Sequence, residues 1–118
     1  IDALEALIKK NPSKIELAKS SADIERIQKS GKIAALIGIE GGNMIESSIP
    51  NLEKLYDRGA RYLTLTWNYN LPWATAAAIE VKTKGSKNKG LNKRGGNFML
   101  CRKVRYSLYF WPYRPSQV

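Results

Sequence analysis

One carboxylate in this chain stands where chemistry could be done. Ile37-Gly38-Ile39-Glu40-Gly41-Gly42 reads as a buried strand that delivers Glu40 to its C-terminal tip, followed by two glycines. Arg61-Tyr62-Leu63-Thr64-Leu65-Thr66-Trp67-Asn68 reads as a second buried strand that ends on Trp67 and Asn68. In parallel α/β folds, ligand-binding and catalytic groups gather beyond the carboxyl ends of strands. A glutamate there can hold a metal or move a proton. Gly41 and Gly42 let the backbone turn sharply and leave room beside the carboxylate. Patterning alone explains Glu40 equally well as a loop cap or as the partner of an arginine. The glycine pair is a weak phosphate signal, because no G-x-G-x-x-G or G-K-[ST] pattern is present. A lone tryptophan such as Trp67 more often packs than reacts. The chain contains no histidine, which limits every catalytic or metal reading.

The elements that would position these residues are legible around them. Ile1, Leu4, Leu7 and Ile8 fall at helical spacing, and Pro12 closes that helix soon after Lys10. A second helix starts near Ser20 or Ser21. Ser20 with Asp23 three residues later forms a variant capping box, with Asp in place of Glu or Gln. Ile24 and Ile27 give this helix its apolar face, and Gly31 ends it as a left-handed cap. Ile33-Ala34-Ala35-Leu36-Ile37-Gly38-Ile39 is a continuous apolar run, the pattern of one parallel strand buried on both faces. A third helix is capped near Ser47 or Ser48, with Pro50 in its first turn and Gly59 at its end. Ile49, Leu52, Leu55 and Tyr56 form its inner stripe. Arg61 to Trp67 then makes the second strand. The order helix, strand, helix, strand predicts a right-handed βαβ crossover.

Composition bounds the function classes. The 118 residues suffice for one small domain, and 43% hydrophobic with 25% charged is ordinary for a globular chain. Cys101 is the single cysteine, so no internal disulfide forms. That is compatible with a reducing compartment and weakly favours the cytoplasm. Cys101 has no histidine to activate it as a nucleophile. Neither a signal-peptide pattern nor an apolar run of membrane-spanning length is visible. The net charge of +10 is unevenly placed. Residues 1–80 hold ten basic and ten acidic side chains, whereas residues 81–118 hold ten basic and no acidic ones. The chain thus reads as two compositions joined near Lys82.

Three separated blocks carry a family resemblance. Gly38-Ile39-Glu40-Gly41-Gly42, Arg61-Tyr62-Leu63-Thr64-Leu65-Thr66 and Asn70-Leu71-Pro72-Trp73-Ala74 together resemble the membrane (renal) dipeptidase family of zinc metallopeptidases. Ser20 to Ile24 and Gly31 to Leu36 resemble the segment before the family's glutamate, and Lys89-Gly90-Leu91 is a last echo. The resemblance implies an amidohydrolase-like (β/α)8 barrel that cleaves dipeptides, with some members opening β-lactam rings. It implies two zinc ions and a bridging hydroxide that attacks the peptide carbonyl. Glu40 matches the carboxylate that bridges both zincs, and Trp67 with Asn68 matches the lining of the substrate cleft. One carboxylate can ligate two metals about 3.5–4 Å apart, which fixes their separation.

The departures are also specific. Asn43 stands where many members have histidine after the glycine pair. Trp67 stands where the strand often ends in histidine, and its indole N–H is a different kind of donor. The remaining ligands implied by the family, a His-x-Asp and two later histidines, are not in this sequence. After Gly90-Leu91 the family pattern ends, and a reading-frame change near residues 92–95 is the expected cause. Val104, Tyr106, Leu108 and Phe110 alternate with Arg105, Ser107, Tyr109 and Trp111 as a strand would. Lys82 to Gly96 reads as a solvated loop or a disordered segment. Residues 82–114 could instead form a basic, aromatic nucleic-acid surface, although an unselected basic tail binding polyanions without specificity is the simpler reading.

The expected fold class is α/β, a partial (β/α)8 TIM-barrel-like piece, amidohydrolase-like. Residues 1–80 form the partial barrel with two strands and about three helices, and residues 81–118 form a basic tail outside it. A full barrel takes about 250 residues. Unpaired strand edges leave self-association open. The resemblance implies a dipeptide partner and two zinc ions as cofactor in the intact enzyme; this chain alone is expected to be inactive and not to hold the zinc, because one carboxylate cannot hold two zincs.

Overall fold

The computed structural model describes residues 1–77, Ile79 and Leu91. The expected tail features, including Cys101 and the alternation from Val104 to Trp111, lie outside the described residues.

Helix α1, Asp2–Lys10, carries Asp2 and Glu5 in its first turn and Lys9 and Lys10 in its last, which complements the helix dipole. Asn11 closes it: its backbone N–H donates to the Leu7 and Ile8 carbonyls, and its side-chain amide donates to Leu7 as well. Ile1 and Leu4 pack against the core, whereas Leu7 stays exposed. The Arg58 guanidinium, beyond the end of α3, reaches both Asp2 and Glu5 and holds α1 in place.

Helix α2, Ser21–Lys29, is capped as the sequence predicts. The Ser20 hydroxyl accepts from the Asp23 N–H at 3.1 Å. The Asp23 carboxylate accepts in return from the Lys19 N–H at 3.0 Å and from the Ser20 hydroxyl at 2.9 Å. Gly31 adopts a φ of 75° just past the helix, where a β-carbon would strain the turn. Helix α3, Ile49–Asp57, has the Ser48 hydroxyl as its cap and Pro50 in its first turn. Leu52 is buried, with Ile49, Leu55 and Tyr56 partly buried beside it.

Strand β1, Ile15–Leu17, is missing from the sequence reading. It pairs in parallel with β2, Ile33–Ala35. The expected single strand over Ile33–Ile39 is instead two short ones, β2 and β3, Ile37–Ile39, separated at Leu36. Strand β3 pairs in parallel with β4, Ala60–Leu63. The run thus pairs backward with β1 through its first half and forward with β4 through its second. The described strands thus form two two-stranded parallel sheets, β1–β2 and β3–β4.

Burial on both faces is also corrected. Ile37 and Ile39 are buried while Gly38 between them is exposed, and Ile33 is 65% exposed. The helices cover one face only. Ile37, Ile39, Ala60 and Leu63 meet Leu52, Ile45 and Trp73 on that face. The other face, which would line a barrel interior, carries Gly38, Glu40 and Tyr62. A β-carbon on Gly38 would fall inside the Tyr62 ring, so the glycine makes room for the tyrosine lying across it.

Arg61 ties several of these elements together. Its Nη1 donates to the carbonyls of Tyr56 at 2.8 Å and Ala60 at 2.7 Å, and its Nε donates to Lys19 at 2.8 Å. Its guanidinium also lies 4.2 Å from the centre of the Tyr56 ring. One side chain thereby ties the end of α3 and the start of β4 to the segment after β1.

Candidate active site

The residue after β3 is Glu40, so the carboxylate is at a strand tip. It is exposed, and no described residue hydrogen-bonds or ion-pairs with it. An arginine partner, one of the alternative readings of Glu40, is not found among the described residues. The chain then turns at Gly41, whose φ of 93° suits glycine, and enters a short 3-10 turn, Gly42–Ile45.

The segment after β4 runs alongside. Regular pairing ends at Leu63, short of the expected Trp67, but hydrogen bonds between the two segments continue. The Thr64 N–H donates to the Ile39 carbonyl at 2.9 Å, and the Gly42 N–H donates to the Leu65 carbonyl at 3.0 Å. Between them, the Gly41 N–H donates to the Thr64 hydroxyl at 2.6 Å. The two strand tips are joined at the level of Glu40.

Trp67 and Asn68 lie just beyond, both exposed. A β-carbon on Gly41 would lie 3.5 Å from the Trp67 Cβ, so Glu40 and Trp67 sit on adjoining turns. Trp67 is 53% exposed and Tyr69 48% exposed. Their rings meet edge to face with centroids 5.7 Å apart, a favoured aromatic geometry. Tyr69 was not singled out from the sequence. The repeated aromatic–Asn pattern of Trp67-Asn68-Tyr69-Asn70 was its signal.

The third block folds under this rim. Leu71 and Ala74 exchange backbone hydrogen bonds across Pro72-Trp73, and the Asn70 side chain accepts from the Ala76 N–H at 2.9 Å. Trp73 is 1% exposed. Its ring lies against Gly42, and its indole N–H donates to the Ser47 hydroxyl at 3.1 Å. Glu46 and Ser47 hold φ values of 52° and 56°, which is uncommon for non-glycine residues. Trp73 thus supports the turn after Glu40 from beneath.

A carboxylate on an exposed strand tip can offer two oxygens to a divalent cation. Among the described residues, however, no group of three or more His, Cys, Asp or Glu side chains could hold one. These residues fit one ligand of a metal centre and do not fit a complete centre.

Parallel strand pairs flanked by helices, with a carboxylate at one strand tip, are an arrangement that a partial (β/α)8 barrel shares. A crystal structure of an amidohydrolase from Pseudomonas aeruginosa matches this chain with a TM-score of 0.71 and 21% sequence identity. The match covers 85% of this chain and 29% of that one, so this chain spans under a third of the neighbour's length. The family model for membrane dipeptidase (peptidase family M19) matches residues 1–100, and the chain belongs to that family. Among the described residues, no helix is long and apolar enough to cross a membrane.

Proposed function

We propose that this chain carries part of a zinc-dependent dipeptide hydrolase site. Glu40 is the bridging carboxylate of that site, and Trp67 and Asn68 border the substrate cleft. The observation that carries the reading is the position of Glu40. It is an exposed carboxylate, without a partner among the described residues, directly beyond a parallel strand in a chain of the membrane dipeptidase family. Family membership supports hydrolysis and a metal requirement. The other metal donors must come from outside the residues described. With no histidine in the chain and Glu40 the one metal ligand assigned, this reading has the chain by itself inactive. The comparisons give no support to the nucleic-acid reading of residues 82–114.

The test is a graft. Residues 1–77 replace the corresponding segment of an active family member, and dipeptide hydrolysis is measured with zinc present. The graft with Glu40 should retain turnover, and the graft with Glu40→Gln should lose it while remaining folded. Equal turnover by the two grafts would refute the role of Glu40.

A further inference from the structure

One loop leaves the carboxyl end of β3 and another leaves that of β4, and the first contains a strained turn. Glu46 and Ser47 follow one another with φ values of 52° and 56°, in the left-handed region. Neither is glycine, so the conformation is unfavourable and persists only where neighbouring groups hold it. Two of those groups lie within the loop. The Glu46 N–H donates to the Asn43 carbonyl at 3.0 Å, and the Ser48 N–H donates to the Ile45 carbonyl at 2.9 Å. A third comes from the loop beyond β4. The Trp73 indole N–H donates to the Ser47 hydroxyl at 3.1 Å. The same ring lies against Gly42, where a β-carbon would sit 2.5 Å from it. Trp73 is buried, and its backbone is held in a tight turn by the paired bonds between Leu71 and Ala74, at 2.8 and 3.3 Å.

We propose that Trp73 is a latch that joins the two loops into one unit, so that the strained Glu46–Ser47 turn and the Leu71–Ala74 turn open and close together. The indole N–H holds Ser47 while the ring fills the space beside Gly42. When that hydrogen bond breaks, the strained turn is free to relax to an ordinary φ. Ser47 then leaves the ring, and the turn that carries Trp73 loses its contact with the first loop. The first loop starts at Glu40, and the second carries Trp67 and Asn68. The latch therefore sets how the two sides of the proposed site face one another. The inference concerns the motion of the two loops and holds whether or not Glu40 ligates a metal.

The test is amide hydrogen exchange, read residue by residue by NMR on the full chain, isotopically labelled and with no added ligand. Ser47→Ala removes the acceptor and keeps the strain, because alanine also has a β-carbon. Exchange should accelerate by about fivefold at Glu46 and Ser48, the scale of one net hydrogen bond. It should accelerate by a similar factor at Leu71 and Ala74, in the other loop. The amides of Ile24 and Lys32, bonded to the Ser20 and Ile27 carbonyls around α2, should keep the parent rate, which separates the latch from a general loss of stability. Ser47→Gly removes the acceptor and the strain together. It should exchange more slowly than Ser47→Ala at the four loop amides, the reverse of an unstrained position, where glycine is the looser residue. Trp73→Phe removes the donor and should accelerate the same four amides; if Ser47→Ala does not fold, this variant decides the coupling. Acceleration confined to Glu46 and Ser48, or parent rates at all four, would overturn the latch. Faster exchange in Ser47→Gly than in Ser47→Ala would overturn the role given to strain.

Discussion

Replacing Gly42 by alanine adds one methyl group at the most crowded point under the site. The new carbon would lie 2.5 Å from two atoms of the Trp73 ring, Cη2 and Cζ2, and 2.6 Å from the Leu65 carbonyl oxygen. Gly42 is not among the positive-φ glycines, so alanine meets no backbone penalty there and the cost is steric. Trp73 cannot retreat easily, because it is buried and its indole N–H is held by Ser47. The Leu65 carbonyl cannot move without loosening its bond from the Gly42 N–H. Overpacking of this kind costs about 1–3 kcal/mol. Urea unfolding followed by far-ultraviolet circular dichroism should show that loss as a lower midpoint. Trp73→Phe removes the two ring atoms that collide, so the alanine should cost less in that background. The double-mutant cycle should therefore give a coupling between the two positions. A Gly42→Ala protein within about 0.5 kcal/mol of the parent would refute this packing argument.

Further outcomes follow from the packing and the ion pairs. Leu52→Ala empties a fully buried position under the sheet and should cost about 2–5 kcal/mol in the same urea assay. Ser20→Ala removes the cap of α2 and should cost about 1 kcal/mol, measured the same way. The hydrogen bond from Arg58 holds the Asp2 carboxyl below its ordinary value of 3.8. A lowered folded-state pKa stabilises above the unfolded value and is lost as pH falls through the folded one. Arg58→Met should therefore reduce stability at neutral pH, and its difference from the parent should shrink as acid is added below pH 3.8. Thermal melts across that range, and at high salt, check both the direction and the screening expected of exposed pairs.

Local signals are more legible in this sequence than non-local ones. Ser20 with Asp23, Ser48 with Pro50, and the glycines at 31 and 59 mark helix ends, because capping is settled within a few residues. Strand β1 was missed because three residues are too few for periodicity to register. Its only signal was the apolar–polar–apolar Ile15-Glu16-Leu17 between Pro12 and the Ser20 cap. The run from Ile33 to Ile39 looked like one buried strand because composition does not reveal a change of partner at Leu36. That break depends on where β1 and β4 lie, and each pairs with the run from more than fifteen residues away. At the site, Glu40-Gly41-Gly42 was visible as a carboxylate before a turn. The Thr64 hydroxyl on Gly41, and Trp73 between Gly42 and Ser47, were not visible. Each joins segments more than twenty residues apart, and pairing register is needed to bring them together.

Zinc binding by the purified chain is the most direct test of the central claim. Equilibrium dialysis against zinc, with Glu40→Gln alongside and dipeptide hydrolysis assayed on the same samples, measures it. The account predicts no tightly held zinc and no turnover, in the parent and in Glu40→Gln alike. Two tightly held zinc ions with turnover would contradict it.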